Sequence, residues 1–215
     1  MLPTRRQSSL SMDNNITLYG ASGHGKVIVD VLRSASNASL TIIDDNPKSE
    51  TILGIPVHKT SDVDLDAIGN TIISIGNNKV RKKLAAQLKT NFVNAIHPNA
   101  VISNFTKIGN GTVVMAGVKI NPDSVIGEHC IINTGAVVEH DANIGDFVHI
   151  SPSAALAGNV TVGEGTQVGI GAIVIQGITI GKWAVIGAGA IIIRDIPDYA
   201  VVVGNPGKII KYNHE

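Results

Sequence analysis

An aliphatic residue recurs at every sixth position through the second half of this chain. The series continues for seventeen positions without an insertion or a polar substitution. A hexad of this kind is typical of a solenoid in which one hexad forms one flat face and three hexads complete a coil. We therefore predict a parallel β-helix of about five coils with the repeated residues stacked inside it. The repeated residues are Ile96, Ile102, Ile108, Val114, Ile120, Ile126, Ile132, Val138, Ile144, Ile150, Leu156, Val162, Val168, Val174, Ile180, Ile186 and Ile192.

Two other positions of the hexad follow rules of their own. We call the repeated aliphatic residue of each hexad its anchor. The fourth residue after the anchor is usually small or β-branched, as at Ala136 and Thr166, which suits a narrow interior. Glycine or asparagine often follows the anchor directly, as at Gly127 and Asn133, and we expect these residues to adopt left-handed turn conformations. A β-sandwich is the weaker alternative, because it needs turn signals every eight to twelve residues or so and loses strict phase in its loops.

The first half has a different pattern, in which short apolar runs alternate with helical spacing. Such an order predicts a small, mostly parallel, Rossmann-like sheet whose ligands bind at the carboxyl ends of the strands. We divide the chain into an extension (1–12), a Rossmann-like sheet domain (13–95), a β-helix (96–195) and a closing segment (196–215). The predicted strands are 16–19, 40–43 and 71–75, and the predicted helices are 26–34 and 79–88.

The bulk composition excludes several classes of protein. Seventeen basic residues balance seventeen acidic ones, so the net charge favours neither nucleic acid nor an anionic membrane as a partner. A single cysteine, Cys130, excludes an intramolecular disulfide framework. We find neither a membrane span nor a secretory signal, and expect a cytoplasmic protein. Residues 1–12 are interpreted as a disordered extension or a vector-derived remnant.

A glycine-rich loop follows the first predicted strand. Gly20-Ala21-Ser22-Gly23-His24-Gly25 lies just before a helix, where backbone N–H groups can approach a phosphate. Its spacing differs from that of the dinucleotide fingerprint, and a tight connection is the alternative. Asp44 and Asp45 end the next strand, where an acidic residue commonly binds a ribose or base, although they could instead cap a turn.

A basic cluster follows the third strand. Lys79, Arg81, Lys82 and Lys83 are interpreted mainly as a solvated helix face, with phosphate contact as the less favoured alternative.

His140 is the strongest catalytic candidate in the repeats, because carboxylates flank it. An imidazole is suited to general-base chemistry, and Glu139 or Asp141 could orient it. Ordinary surface polarity is the alternative. His149 is a candidate for the same cleft, whereas His129 is expected to face water at a corner. The spacing of the three histidines argues against a zinc site, and no metal is predicted.

Several motifs together resemble the bacterial nucleotide-sugar acetyltransferases of the bacillosamine and sialic-acid type, and most of all those that acetylate the C4 amine of a UDP-linked 4-amino-4,6-dideoxy sugar. The resemblance implies a left-handed β-helix and a homotrimer, with acetyl-CoA in the groove between the β-helices of adjacent subunits. The motifs are the glycine loop with Lys26, Asp44-Asp45, Ile75-Gly76-Asn77-Asn78, Asn133-Thr134, Glu139-His140 and Ala157-Gly158-Asn159-Val160.

The resemblance also implies roles for individual residues. His140 matches the catalytic base, with Asp141 in the place of a supporting glutamate. Gly158 matches an amide that faces the acetyl carbonyl, and Asn133 matches a residue beside the sugar amine. Gly20, Ser22, Gly23, His24, Asp44 and Asp45 are assigned to the nucleotide, and His149, Gly158, Gly204 and Pro206 to acetyl-CoA.

The mechanism implied is direct transfer, with no covalent enzyme intermediate. Cys130 is the only thiol, and its place in the repeat is that of a small inward residue. Two alternatives remain open: O-acetylation of sialic acid or a related sugar, and a non-enzymatic scaffold that senses a nucleotide.

Overall fold

The computed structural model describes residues 15–213, so the extension predicted at 1–12 lies outside the described residues. Its first part is a sheet flanked by helices. The elements are β1 (Asn15–Tyr19), α1 (Gly23–Ala35), β2 (Ser39–Asp44), β3 (Thr51–Ile52), β4 (Ile55–Lys59), a 3-10 turn (Thr60–Asp62), β5 (Asn70–Ile73), α2 (Asn78–Gln87) and β6 (Asn91–Phe92). The strands lie in the order β3-β4-β2-β1-β5-β6, and β1 pairs in parallel with both β2 and β5.

The second part is a parallel β-helix built from the two-residue strands β7 to β23, numbered in chain order. Each strand pairs with the strand one coil away, for example Val113 with Ile131. The first face holds Ala95–Ile96, Val113–Val114, Ile131–Ile132, His149–Ile150, Gln167–Val168 and Val185–Ile186. The second holds Val101–Ile102, Lys119–Ile120, Val137–Val138, Ala155–Leu156, Ile173–Val174 and Ile191–Ile192. The third holds Lys107–Ile108, Val125–Ile126, Asn143–Ile144, Thr161–Val162 and Thr179–Ile180.

The predicted fold class is confirmed, and so is the composition of the interior. From Val114 onward the anchors are at most 2% exposed. The small residues four positions later, such as Ala136 and Ala154, are also completely buried. Because each anchor meets its equivalents one coil above and below, a single aliphatic column forms the core of the β-helix.

The expectation that the residue after the anchor turns left-handed is wrong. The positive φ angles fall on the third residue after the anchor, for example +59° at Asp141 and +69° at Gly165. The glycine that follows the anchor has a different purpose. A Cβ at Gly163 would lie 2.6 Å from the backbone carbon of Gly181 and 2.6 Å from the nitrogen of Lys182. These glycines are therefore required by the close stacking of coils and not by turn geometry.

Replacing Gly163 with alanine is expected to lower the free energy of unfolding by about 1–3 kcal/mol, because the new methyl group would overlap rigid backbone. Urea unfolding followed by circular dichroism measures this. Gly69→Ala is the matched control, since a Cβ there meets nothing within 4 Å. A Gly163→Ala protein as stable as the Gly69→Ala protein would contradict the stacking argument.

The sheet domain packs on the outer side of the first face. Val113 and Ile131 point outward from that face and join Leu18 and Ile28 in one apolar cluster. The anchors point inward on the same strands, so one face of the β-helix separates two cores. This packing fixes the carboxyl ends of the sheet's strands relative to the first face.

The closing segment extends the first face. β24 (Ala200–Val203) pairs in parallel with β22 (Val185–Ile186), the last strand of that face in the coils. β25 (Lys208–Tyr212) pairs antiparallel with β24. A Cβ at Gly207 would lie 2.7 Å from Cδ1 of Ile192, so the chain approaches the last coil closely at this position.

Candidate active site

The glycine loop joins β1 to α1 at the carboxyl end of the central strand. Ser22 is the N-cap of α1, and its hydroxyl makes no capping hydrogen bond. Gly20 has a φ of +121°, and a Cβ at Gly25 would lie 2.8 Å from the Gly20 carbonyl oxygen, so both positions need glycine. A Cβ at Gly23, in contrast, would meet nothing within 4 Å. The start of α1 is therefore open to a ligand, as an anion site at a helix N-terminus requires.

The two aspartates at the end of β2 hold the loop in place. Asp44 accepts hydrogen bonds from the backbone nitrogens of Ala21 at 2.6 Å and Asn46 at 2.8 Å. Asp45 accepts one from the Tyr19 hydroxyl at 2.6 Å, and burial together with that bond raises the pKa of Tyr19 to about 12. The turn-capping alternative thus describes Asp44 within this chain.

Three of the predicted site residues meet where α1 begins and the first face passes beneath it. The ring centroids of His24 and His149 are 6.4 Å apart. The amide of Asn133 donates to Nε2 of His149 across 3.1 Å. Nε2 of His24 is buried and has no hydrogen-bond partner among the described residues. Burial, and secondarily the positive charge of Arg81, lowers the pKa of both histidines to about 4.

His140 forms a second group with Asp141 and Gly158. Nδ1 of His140 lies 2.7 Å from Oδ2 of Asp141, and both side chains are exposed. The carboxylate of Glu139 instead accepts a hydrogen bond from Asn121 at 2.5 Å. Of the two carboxylates considered from the sequence, the one that contacts the ring is therefore Asp141. Its hydrogen bond raises the pKa of His140.

Gly158 lies one coil away from His140, directly beneath the imidazole. A Cβ at Gly158 would lie 2.6 Å from Cε1 and 2.7 Å from Nε2 of His140. The Gly158 N–H donates no hydrogen bond within residues 15–213. An imidazole nitrogen and an unpaired backbone N–H therefore lie close together on one edge of the β-helix. A base beside an oxyanion donor is the pair that acyl transfer needs.

The two groups lie on different edges of the β-helix in a single chain. His140 follows a strand of the second face, and Asn133 follows a strand of the first face. Gly204 and Pro206 follow β24 and so share the edge of Asn133. Within residues 15–213, no hydrogen bond, ion pair or ring contact joins the His24–His149–Asn133 group to the His140–Asp141–Gly158 group.

The expectation for His129 is wrong. Its side chain is 4% exposed, and its ring packs edge-on against Phe92 and parallel to Phe147. The position is a corner of the coil, but the sheet domain covers that corner. Burial is the main cause that lowers the pKa of His129 to about 4. A hexad gives no signal for this, because it does not say which edge is covered.

The interpretation of Arg81 as part of a solvated face is also wrong. The residue is 1% exposed, while its neighbour Lys82 is half exposed and pairs with Glu164. The signal was present in the spacing, since Asn78, Arg81 and Leu84 recur at every third position and all are buried.

Cys130 is excluded from the site by its burial. The thiol is fully buried, and burial raises its pKa to about 12, so it is a poor nucleophile. In residues 15–213, no three histidine, cysteine or acidic side chains converge as metal ligands would. The same residues contain no helix that is both long and apolar enough to span a membrane.

Acid is expected to destabilise this protein through its neutral buried histidines. His24, His129 and His149 have pKa values of about 4 in the fold against 6.5 in the unfolded chain. Between these two pH values the unfolded chain therefore binds more protons than the folded protein. As the pH falls through that window, each histidine lowers the free energy of unfolding by about 1.4 kcal/mol per pH unit. Urea unfolding at pH 7 and pH 5 tests this, and His149→Gln should reduce the loss. Equal stability at both pH values would contradict the three depressed pKa values.

A pH profile tests the pairing of His140 with Asp141. A general base acts in its neutral form, so kcat/KM should rise with pH and level off above the pKa of His140. Asp141 raises that pKa, and Asp141→Asn is expected to move the inflection to lower pH. The profile is measured between about pH 6 and 9, where circular dichroism verifies the fold. An unmoved inflection would show that Asp141 does not set the basicity of His140.

A small, mostly parallel sheet domain joined to a β-helix built from hexads is the architecture of a hexapeptide-repeat transferase. Comparison with known families agrees. The PglD N-terminal domain matches residues 15–88, and the bacterial transferase hexapeptide matches residues 105–140.

Solved structures extend the likeness over nearly the whole chain. Perosamine N-acetyltransferase from Caulobacter crescentus, in a histidine-to-asparagine variant bound to CoA and GDP-perosamine, is 41% identical. It has a TM-score of 0.88 over 92% of this chain and 97% of that one. The acetyltransferase domain of PglB from Neisseria gonorrhoeae, bound to acetyl coenzyme A, is 35% identical. Its TM-score is 0.86 over 93% of this chain and 100% of that one.

A curated relative matches over a shorter stretch. UDP-N-acetylbacillosamine N-acetyltransferase from Bacillus subtilis is 46% identical over 111 residues, which are 47% of this chain and 51% of that protein. The alignment thus spans about half the length of the relative. From the family matches and the solved structures together, this chain belongs to the hexapeptide-repeat sugar N-acetyltransferases with a PglD N-terminal domain.

Proposed function

We propose that this protein transfers an acetyl group from acetyl-CoA to the amino group of a nucleotide-linked amino sugar, of the UDP-4-amino-4,6-dideoxy type. The observation that carries the proposal is the His140 imidazole, which is bound to Asp141 and packs against the Cα of Gly158, a residue whose N–H is unpaired within residues 15–213. Relatives at 41% and 35% identity, named above, were solved with CoA and GDP-perosamine and with acetyl coenzyme A. N-acetylation is preferred to O-acetylation because the relatives from Caulobacter crescentus and Bacillus subtilis are N-acetyltransferases by name.

The chemistry follows from these three residues. The sugar nitrogen attacks the thioester carbonyl and forms the N–C bond, while His140 accepts the proton that the amine loses. The Gly158 N–H stabilises the oxyanion of the tetrahedral intermediate. The C–S bond then breaks, and the thiolate of CoA receives a proton. Asp141 stabilises the imidazolium in between, which is consistent with the raised pKa of His140.

The nucleotide is assigned to the glycine loop. The open N-terminus of α1 and the unpartnered Nε2 of His24 offer donors to a diphosphate, with Ser22 and Gly23 beside them. Asp45 is assigned to the ribose or base, and Asp44 shapes the loop. Acetyl-CoA is assigned to His149, Gly158, Gly204 and Pro206.

A homotrimer is proposed because one chain holds these groups on two different edges. If the His140 edge of one copy faces the Asn133 edge of the next, each groove between copies gains both groups. Cyclic symmetry then gives three equal sites. A cytoplasmic location and the division at residues 95 and 195 stay predictions.

Mixing two inactive variants tests the shared site. A His140→Ala chain and an Asn133→Ala/His149→Ala chain are co-expressed with different tags and purified as mixed oligomers. Every mixed trimer contains one intact groove out of three, so the mixed oligomers should recover about a third of wild-type kcat. The same variants purified separately and mixed without exchange are the control. No recovery in mixed oligomers would place the whole site within one chain.

The acceptor is tested directly. Purified protein is incubated with acetyl-CoA and either UDP-2-acetamido-4-amino-2,4,6-trideoxyglucose or GDP-perosamine, and free thiol and product mass are followed. Addition of one acetyl group to the UDP-linked sugar supports the proposal, whereas faster transfer to GDP-perosamine would keep N-acetylation and overturn the choice of uridine. Acetylation of sialic acid alone would replace it with O-acetylation. No transfer to any of these acceptors, with intact CoA binding, would overturn it.

A further inference from the structure

Arg81 is a buried cation that no ion pair neutralises within the described residues. Its guanidinium has five N–H donors, and each bond that it makes goes to a neutral oxygen. Nε donates to the carbonyl of His129 at 2.7 Å, and Nη2 donates to the carbonyl of Phe147 at 2.8 Å. Nη1 donates to the carbonyls of Ile75 at 3.0 Å and Gly76 at 3.3 Å. Nη2 also bonds the side chain of Asn78 at 2.8 Å.

These acceptors come from both parts of the protein. Ile75 and Gly76 belong to the loop after β5, whereas His129 and Phe147 are the corners of two successive coils. The corners have φ angles of +53° and +58°, and the backbone turns there. The planar guanidinium of Arg81 therefore joins the sheet domain to two successive coils of the β-helix. Asn78 extends the junction by one coil, since its amide donates to the Gly165 carbonyl at 3.0 Å.

The loop that Arg81 holds supports the glycine loop. A Cβ at Gly20 would lie 2.7 Å from Cγ1 of Ile75, and the Ser74 hydroxyl donates to the Gly20 carbonyl at 2.6 Å. A shift of Ile75 would therefore move Gly20 and with it the start of α1. The chain of contacts runs from two coil corners, through Arg81 and Ile75, to the loop assigned to the diphosphate.

Burying the charged guanidinium of Arg81 costs free energy that packing alone would not require. Desolvating a charge costs several kcal/mol, and a buried ion is commonly replaceable by apolar residues without loss of stability. Burial lowers the pKa of Arg81 to about 10, so the group is still charged at neutral pH. A rigid fork of donors is what distinguishes arginine from lysine or an apolar residue at such a place.

We propose that Arg81 is a positioning residue for acetyl transfer: it sets the glycine loop over the β-helix and so fixes where the amine of a nucleotide-bound sugar lies relative to the site of transfer. This proposal rests on the proposed function. Arg81 itself touches neither substrate. Displacement of a reacting group by about 1 Å can cost about 100-fold in rate.

Arg81→Lys is the principal variant, because it keeps the charge and loses the fork. We expect kcat with the nucleotide amino sugar to fall about 10- to 100-fold. The KM for acetyl-CoA and the Kd of free nucleotide should stay within about threefold, since each part of the protein still folds. Asn78→Ala removes one acceptor and should give the same pattern more weakly. Lys82→Gln is the matched control on the next residue, where an exposed ion pair crosses the same junction and contributes little.

The outcomes separate the possibilities. Unchanged kcat in Arg81→Lys, or an equal loss in kcat, nucleotide affinity and acetyl-CoA affinity, would overturn positioning in favour of no role or a general packing role. If the wild-type protein acetylates no amino sugar, the proposed function fails, and amide hydrogen exchange then decides the junction. Arg81→Lys should speed exchange at residues 75–81 and around 129 and 147, with 185–203 unchanged. Exchange that is unaltered at 75–81 would overturn the inference independently of catalysis.

Discussion

Replacement of His140 by alanine is expected to lower kcat of acetyl transfer by about 10²- to 10⁴-fold, the range for loss of a general base. The imidazole is exposed, and among the described residues it is bonded only to Asp141, so its removal leaves no buried group unsatisfied there. The free energy of unfolding should therefore change by less than about 0.5 kcal/mol. The two measurements together distinguish catalysis from folding, because a structural histidine would lose stability as well as rate.

A second exposed histidine provides the control for this experiment. His58→Ala is the matched control, since His58 is also exposed and lies in β4, away from either group of site residues. Acetyl-CoA binding, measured by calorimetry, should persist in both variants. The remaining rate of His140→Ala should also lose the inflection that His140 gives to the wild-type pH profile. Full activity in His140→Ala would remove this residue from the mechanism and leave the Gly158 amide without a base beside it.

Gly158→Ala is expected to lower kcat by about 100-fold, although it keeps His140, Asp141 and the backbone N–H at position 158. The new Cβ would lie 2.6–2.7 Å from Cε1 and Nε2 of His140, so the ring must leave its place. The ring can do so at little cost, because the obstacle is an exposed side chain and not backbone. Displacement of the base by about 1 Å is enough for a loss of that size.

This substitution differs from the glycine changes elsewhere in the coils. Gly163→Ala would press against backbone and destabilise the β-helix, whereas Gly158→Ala should unfold at nearly the wild-type urea concentration. A double variant, His140→Ala with Gly158→Ala, should be scarcely slower than His140→Ala alone, because both changes act on one base. If the effects of the two substitutions multiply, Gly158 acts independently of His140, and its methyl group interferes with the acetyl group instead.

The hexad sufficed to predict the β-helix because the interior of a solenoid is a local property of the repeat. Each anchor meets its own equivalents one coil away, so the period, the buried column and the small residues beside it follow from spacing alone. The glycine loop and the aspartates after β2 were also readable, since a parallel sheet brings the ends of its strands together. The pairing of His140 with Gly158 followed from their separation by one coil, although only the contact between them shows how tightly they pack.

What the period could not determine was which edge of the β-helix would be covered. His129 and Asp141 occupy the same place in their hexads, yet His129 is buried beneath the sheet domain and Asp141 is exposed. Arg81 belongs to a basic run, yet it is buried because α2 lies along the edge that contains His129 and Phe147. The sequence by itself determined the repeat, the interior and the chemistry available at each position. The tertiary structure decided which positions meet, because burial at an edge depends on a domain that lies far away in the chain.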